Sequence, residues 1–176
     1  RLASDLAETI HWLREHGIVA GAGHTLADDE QMRQAVRDGI QVSIHTGNAM
    51  RQMDRREPGA YGAALLSDQI FSEVICDLFH ISQPMLEIMF RIKPMSRFIM
   101  ISDSGPMSGL PAGVYTIRGH KRTISEAGLV LLEDGTIAGS SKNMLYGVRN
   151  LAEILLKPIT EIVKMTSENP ADLCSL

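Results

Sequence analysis

Four apolar, β-rich runs in this chain each give way to a residue that can do chemistry. "IVAGAGHT" leads to His24, "IQVSIHTGNAM" to His45, "SEVICDLFHI" to His80 and "RFIMISDSG" to Asp103. Most of these runs are followed by sequence of helical character. Strand, polar residue, helix, repeated, is the pattern of a (β/α) barrel, whose strand ends converge on one face. Residues distant in sequence then meet in space. Three imidazoles and one carboxylate delivered in this way suit metal binding and proton transfer.

The rest of the chain fits that frame. Residues 4–16 carry Leu6, Ile10 and Leu13 at helical spacing, with Ser4 or Asp5 as the cap and Gly17 as the stop. Residues 17–23 read as a short buried strand. A helix follows over 26–39, with acids in its first turn, Arg33 and Arg37 late, and Gly39 at its end. Strand 40–45 leads into a long loop, 46–60, that holds Gly47, Pro58 and Gly59; loops of that length are more often functional than idle. A short helix over 63–69, a strand over 72–77, a helix over 82–92 and a strand over 97–102 come next. Ser82 or Gln83 starts the helix over 82–92, with Pro84 in its first turn.

The character changes at about 114–139, where short strands joined by Gly and Asp-Gly turns read as a β-hairpin insertion. Helices return at 143–156, 158–167 and 170–174. The expected fold class is therefore α/β: a partial (β/α)8 TIM-type barrel with a hairpin excursion.

Size and composition sharpen this reading. The 176 residues suffice for one domain, but a complete eight-stranded barrel takes about 250. Only about half the βα units can be counted. Residues 1–176 are thus expected to form a single barrel domain that is incomplete, its N-terminal half absent. At 44% hydrophobic and 22% charged, the chain is globular rather than disordered. A net charge of −4 with no basic stripe argues against nucleic acid as a partner. No apolar run is long enough to span a membrane and no signal peptide opens the chain. Cys76 and Cys174 have no CxxC spacing, which suits a reducing cytoplasm.

Each chemical motif has a plain alternative. His24 and His45 lie in successive βα units, and imidazole is the commonest protein ligand for zinc and similar ions; either alone is an ordinary loop histidine. Asp103 precedes a Gly-containing loop, so it is either a proton-transferring carboxylate or a turn residue. His80 is a substrate donor, a third metal ligand or a half-buried structural histidine. Arg51, Arg55 and Arg56 in the long loop suit capture of phosphate or carboxylate, or else form a solvated charge run. Asn48 and Ala49 offer amide or backbone groups to a polar ligand. His11, His16 and His120 read as surface or structural, the ten methionines as core filler, and Cys76 as buried and inert.

Taken in order, "GHT", "HTGNAM", "REPG", "CDLFH", "ISDS…GLPAGVY", "DGTIAGSSKNM" and "TSENPADL" resemble the N-acetylglucosamine-6-phosphate deacetylases. These are metal-dependent barrels of the amidohydrolase superfamily. The resemblance runs from about residue 4 to the end. It implies that His24 and His45 are metal ligands and that Asp103 is the catalytic acid/base. His80 would contact the substrate's acetamido or sugar oxygens, and Asn48, Ala49 and Ile137, Ala138 and Gly139 would line the sugar pocket. Arg56 of "REPG" would bind the 6-phosphate, in the family from a loop that can reach a neighbouring subunit.

The implied reaction is hydrolysis of the acetamide of N-acetylglucosamine 6-phosphate to glucosamine 6-phosphate and acetate. The implied cofactor is a divalent metal ion, zinc before iron, cobalt or manganese. The implied partners are a small amino-sugar phosphate and, in the complete protein, a second copy in a homodimer. The family also draws a Glu ligand from a "GPF"-type segment and builds a small β domain from its two chain ends; neither is present here. Two other readings stand beside this one. One is an amidohydrolase acting on an N-acyl amino acid or cyclic amide, and the other is an inactive fragment that binds ligand or a partner chain.

Overall fold

The computed structural model describes residues 2–176. Helix α1 (Leu2–Glu15) leads to β1 (Gly21–Ala22), α2 (Asp29–Asp38), β2 (Val42–Ser43), α3 (Gly59–Leu66), β3 (Phe71–Ile75), α4 (Gln83–Ile92) and β4 (Phe98–Ile101). The four strands form one parallel sheet in the order β1-β2-β3-β4. Among the described residues that sheet is open and does not close into a barrel.

The chain then builds a second sheet from β5 (Gly113–Ile117), β6 (His120–Ile124), β7 (Leu129–Leu131) and β8 (Ile137–Ser140). Its strands pair antiparallel in sequence order. This is the hairpin region anticipated at 114–139. Helices α5 (Met144–Arg149), α6 (Ile159–Val163) and α7 (Asn169–Cys174) end the chain, with π-helical turns at Asn150–Ile154 and Lys164–Glu168.

Period-2 alternation divides the parallel sheet into two faces. Val74 and Cys76, with Phe98 and Met100, face the helices and pack with Leu86, Met89, Leu151, Ile162 and Met165 in the main core. Phe71 and Ile99 belong to a cluster with Val42 on the opposite face. Six of the ten methionines are buried, in keeping with their role as filler.

Side-chain amides pin the helical layer to the strands. Asn150 Nδ2 donates to the Cys76 carbonyl at 2.9 Å, and Asn169 Nδ2 donates to the Phe98 carbonyl at 2.6 Å. Lys93, at the C-cap of α4, is 1% exposed and, among the described residues, has no carboxylate on its ammonium. Its Nζ donates instead to the carbonyls of Ala64 and Ser67 at 2.9 and 2.8 Å and to Ser72 Oγ at 3.1 Å.

Three expectations shift. Helix α1 is already helical at Leu2, so Ser4 and Asp5 lie within its first turn rather than capping it, where the acid still favours the helix dipole. The first two strands pair over two residues each; backbone bonds from Gln41 to Ala20 and from Ile44 to Ala22 continue the ladder outside them. Helix α3 begins at Gly59, four residues earlier than the apolar run suggested. Gly59 takes a left-handed backbone, φ 63°, and a Cβ there would stand 2.8 Å from the Arg51 carbonyl oxygen. A residue that reads as loop punctuation thus opens a helix.

Candidate active site

Two residues past β1, β2, β3 and β4 stand His24, His45, Asp77 and Asp103. The strands are parallel, and their pairing sets His24 level with His45 and Asp77 level with Asp103, so the four positions gather at the carboxyl edge of the sheet. Three of them hold left-handed backbone: His24 at φ 46°, His45 at 30° and Asp103 at 49°. Such conformations cost a non-glycine residue about 1–3 kcal/mol and cluster where side chains must be aimed.

Nine of the ten residues that the resemblance implicates line one cleft of about 580 Å³. His24 and His45 meet edge to face with ring centroids 4.6 Å apart. His80 and Asp103 stand beside them, with Nε2 of the one 3.9 Å from Oδ2 of the other. Asn48 and Ala49 form part of the wall, and Ile137, Ala138 and Gly139 of β8 form another. Arg56 does not line the cleft. It lies exposed in the turn that bridges Asp54 and Glu57, its backbone N–H on Asp54 Oδ1 at 3.0 Å. Arg51 and Arg55 are exposed in the same loop.

The antiparallel sheet is tied to the cleft at Asp103. Ser140 N donates to the Asp103 carbonyl at 3.1 Å, and the Ser104 hydroxyl donates to the Lys142 carbonyl. Gly139 at φ 101° lets the two segments touch, since a Cβ there would stand 2.8 Å from the Asp103 carbonyl oxygen.

Two carboxylates join the site that the sequence did not single out. Asp77 Oδ2 holds His80 Nδ1 at 2.7 Å. Burial pushes the Asp77 carboxyl up, but bonds from the His80 ring and from the N–H groups of His80 and Phe79 outweigh it and hold the group below its ordinary value. Glu73 shares the parity of Phe71 on β3 and accepts the His45 N–H on Oε2 at 3.1 Å. Burial, with Asp103 adding repulsion, raises its carboxyl, and the bond from His45 offsets only part of this. Spacing carried a signal for both: Asp77 precedes His80 by one turn, and Glu73 is a lone acid in an apolar strand.

The donor set bears on metal binding. His45 Nδ1 and His80 Nε2 are buried with no hydrogen-bond partner among the described residues. Orphaned ring nitrogens are what ligand or substrate contacts would satisfy. Among the described residues, however, no three His, Cys, Asp or Glu side chains are grouped to hold an ion. His24 and His45 therefore suit two positions of a coordination shell that normally takes at least three protein ligands.

Fold and site together define a parallel α/β protein with a His/Asp centre at the carboxyl ends of its strands. No family model matches the chain. Among curated proteins it is 36% identical over 164 residues to the N-acetylglucosamine-6-phosphate deacetylase of Lysinibacillus sphaericus, covering 93% of this chain and 42% of that protein. It is 30% identical over 128 residues to an Escherichia coli K12 protein named "Putative N-acetylgalactosamine-6-phosphate deacetylase", covering 73% of this chain and 75% of that one. Among solved structures, an N-acetyl-D-glucosamine-6-phosphate deacetylase variant from Mycobacterium smegmatis, in complex with N-acetyl-D-glucosamine-6-phosphate, superposes with a TM-score of 0.89. That match has 29% identity and covers 97% of this chain and 46% of the other. The chain belongs to the N-acetylglucosamine-6-phosphate deacetylase family, and it spans less than half the length of the first of these relatives.

Proposed function

We propose that the protein containing this chain hydrolyses the acetamide of N-acetylglucosamine 6-phosphate, releasing acetate and glucosamine 6-phosphate. The observation that carries this reading is the single cleft shared by His24, His45, His80, Asp103 and the Ile137–Gly139 strand. His24 and His45 would hold a divalent metal, zinc before iron, cobalt or manganese, with further ligation from outside the pair. A bound ion of this kind acidifies water and polarises a carbonyl. Asp103, exposed at the cleft, takes the proton of the attacking water and returns it to the departing amine. His80 stands opposite with Nε2 open to the cleft and, as the imidazolium, would donate from it to the oxygen on which negative charge develops.

The parallel strands would be part of a (β/α)8 barrel completed by further chain. The 6-phosphate would meet Arg56 from a second copy of the protein in a homodimer, since Arg56 stands away from its own chain's cleft. The enzyme would act in the cytoplasm; no described helix is long and apolar enough to cross a membrane.

The test is acetate release, with added divalent metal, from N-acetylglucosamine 6-phosphate and its galacto epimer. It would use this chain and its full-length parent, each beside Asp103→Asn. Turnover in the parent that collapses in the variant is expected. A folded, metal-loaded parent that releases no acetate from either sugar would sink the assignment. A second reading, in which this chain alone binds ligand without turnover, is favoured by the two-imidazole donor set. Turnover by the isolated chain would exclude it.

A further inference from the structure

We propose that Asp77 is a positioning residue that fixes the ring proton of His80 on Nδ1, so that Nε2 is the atom presented to the substrate's reacting oxygen. This rests on the hydrolytic reading above. It also accounts for an irregularity in the sheet: three strands deliver a cleft residue at the second position past the strand, but the third strand delivers Asp77 there. Asp77 does not line the cleft; His80, three residues on, does.

The intervening turn is built by the same carboxylate. Leu78 takes a left-handed backbone, φ 68°. Asp77 Oδ1 accepts the N–H groups of Phe79 and His80, both at 2.9 Å. Its other oxygen, Oδ2, is 2.7 Å from His80 Nδ1. Both side chains are 5% exposed, so water does not compete for the bond. One carboxylate therefore sets the backbone with one oxygen and the ring with the other.

A carboxylate only accepts, so the nitrogen facing it carries hydrogen. In a neutral ring Nε2 is then bare; in a protonated ring Nε2–H is the only ring donor left for the cleft, and Asp77 is its counter-charge. A free histidine side chain prefers the opposite neutral tautomer, with hydrogen on Nε2, so Asp77 would reverse the intrinsic preference. Nε2 is buried and without a partner. At 3.9 Å, Asp103 Oδ2 is beyond hydrogen-bond reach, so an oxygen entering between the two groups would be the first to satisfy Nε2.

Asp77→Asn separates this role from turn-building. Its amide oxygen can keep the bonds to Phe79 and His80 N–H, while its NH2 would face the ring and require an acceptor at Nδ1. Long-range 15N–1H correlation spectra of histidine-labelled chain would read the tautomer directly. The expected result is Nδ1–H for neutral His80 in the wild type and Nε2–H in Asp77→Asn, with backbone resonances otherwise retained. Nε2–H in the wild type would overturn the proposal, and so would an unchanged tautomer in a folded variant. If Asp77→Asn does not fold, the wild-type spectrum alone decides.

In the full-length protein, where His80 would donate from Nε2 as the imidazolium whose counter-charge is Asp77, the variant should lose about 100-fold or more in kcat, with KM little changed. An equal loss confined to KM would overturn the role. A parent inactive on the sugar phosphates would remove the substrate assignment while leaving the tautomer measurement to stand or fall alone.

Discussion

Lys93→Met removes a buried cation whose ammonium is held only by oxygens without formal charge, those of Ala64, Ser67 and Ser72. Burial lowers its pKa from 10.5 to about 8, with Arg97 adding to the shift and Asp68 opposing it. Between those values the unfolded chain binds a proton that the folded chain has released. Stability should therefore rise with pH across that window, and fall as pH drops through about 8. The separation of the two values corresponds to roughly 3 kcal/mol over the whole window, most of it gained between about pH 7 and about pH 10.

In Lys93→Met that gain should vanish. The variant leaves two carbonyls and a hydroxyl without their donor, at a cost of about 1–3 kcal/mol for each group left unsatisfied, partly offset by relief of the buried charge. Urea unfolding of both proteins across this pH range gives the difference curve, in which other titrations common to both cancel. Wild type should gain on the variant as pH rises. A difference that stays flat, or that falls with pH, would refute the reasoning.

Other outcomes follow from the same geometry. Gly139→Ala should destabilise the fold by about 1–3 kcal/mol, because the new Cβ meets the Asp103 carbonyl and the backbone is left-handed; a denaturation midpoint equal to wild type would count against this contact. Asp77 is held below 3.8, so its contribution is present above that value and is lost as pH falls through the lower folded value. The stability gap between wild type and Asp77→Asn should therefore narrow in acid, and a gap that is constant into that range would contradict it. His24→Asn and His45→Asn should each weaken zinc retention by tenfold or more on dialysis of the full-length protein. Equal zinc content in both variants and wild type would remove the pair as ligands.

The sequence carried the strand–polar–helix rhythm because a parallel sheet needs apolar runs, and the candidate site residues come just past them. It led to His24, His45 and Asp103, each two residues past its strand. It led to His80 as well, but not to the means of its placement: Asp77 sits at the strand-end position and reaches His80 through a turn, which apolar patterning does not encode. One acid in a β run ordinarily faces solvent, whereas the face of the strand that carries Glu73 turns toward the His45 loop. Lys93 was invisible for a similar reason. A lysine closing a helix is ordinarily exposed, and only the packing of α3 and β3 around it makes it internal. Boundaries moved where glycine does unusual work, as at Gly59.

The left-handed backbone at His24, His45 and Asp103 bears on how any mutational scan of this cleft must be interpreted. An alanine or valine at these places deletes a functional group and at the same time evicts the main chain from its conformation, so lost turnover would confound two causes. Asparagine tolerates that region of backbone space better than most residues do. It is the substitution that subtracts chemistry while leaving the scaffold's geometry in place. Scans built on alanine would overstate how much of this cleft is reactive, and comparison of Asn with Ala at each of the three positions would measure by how much.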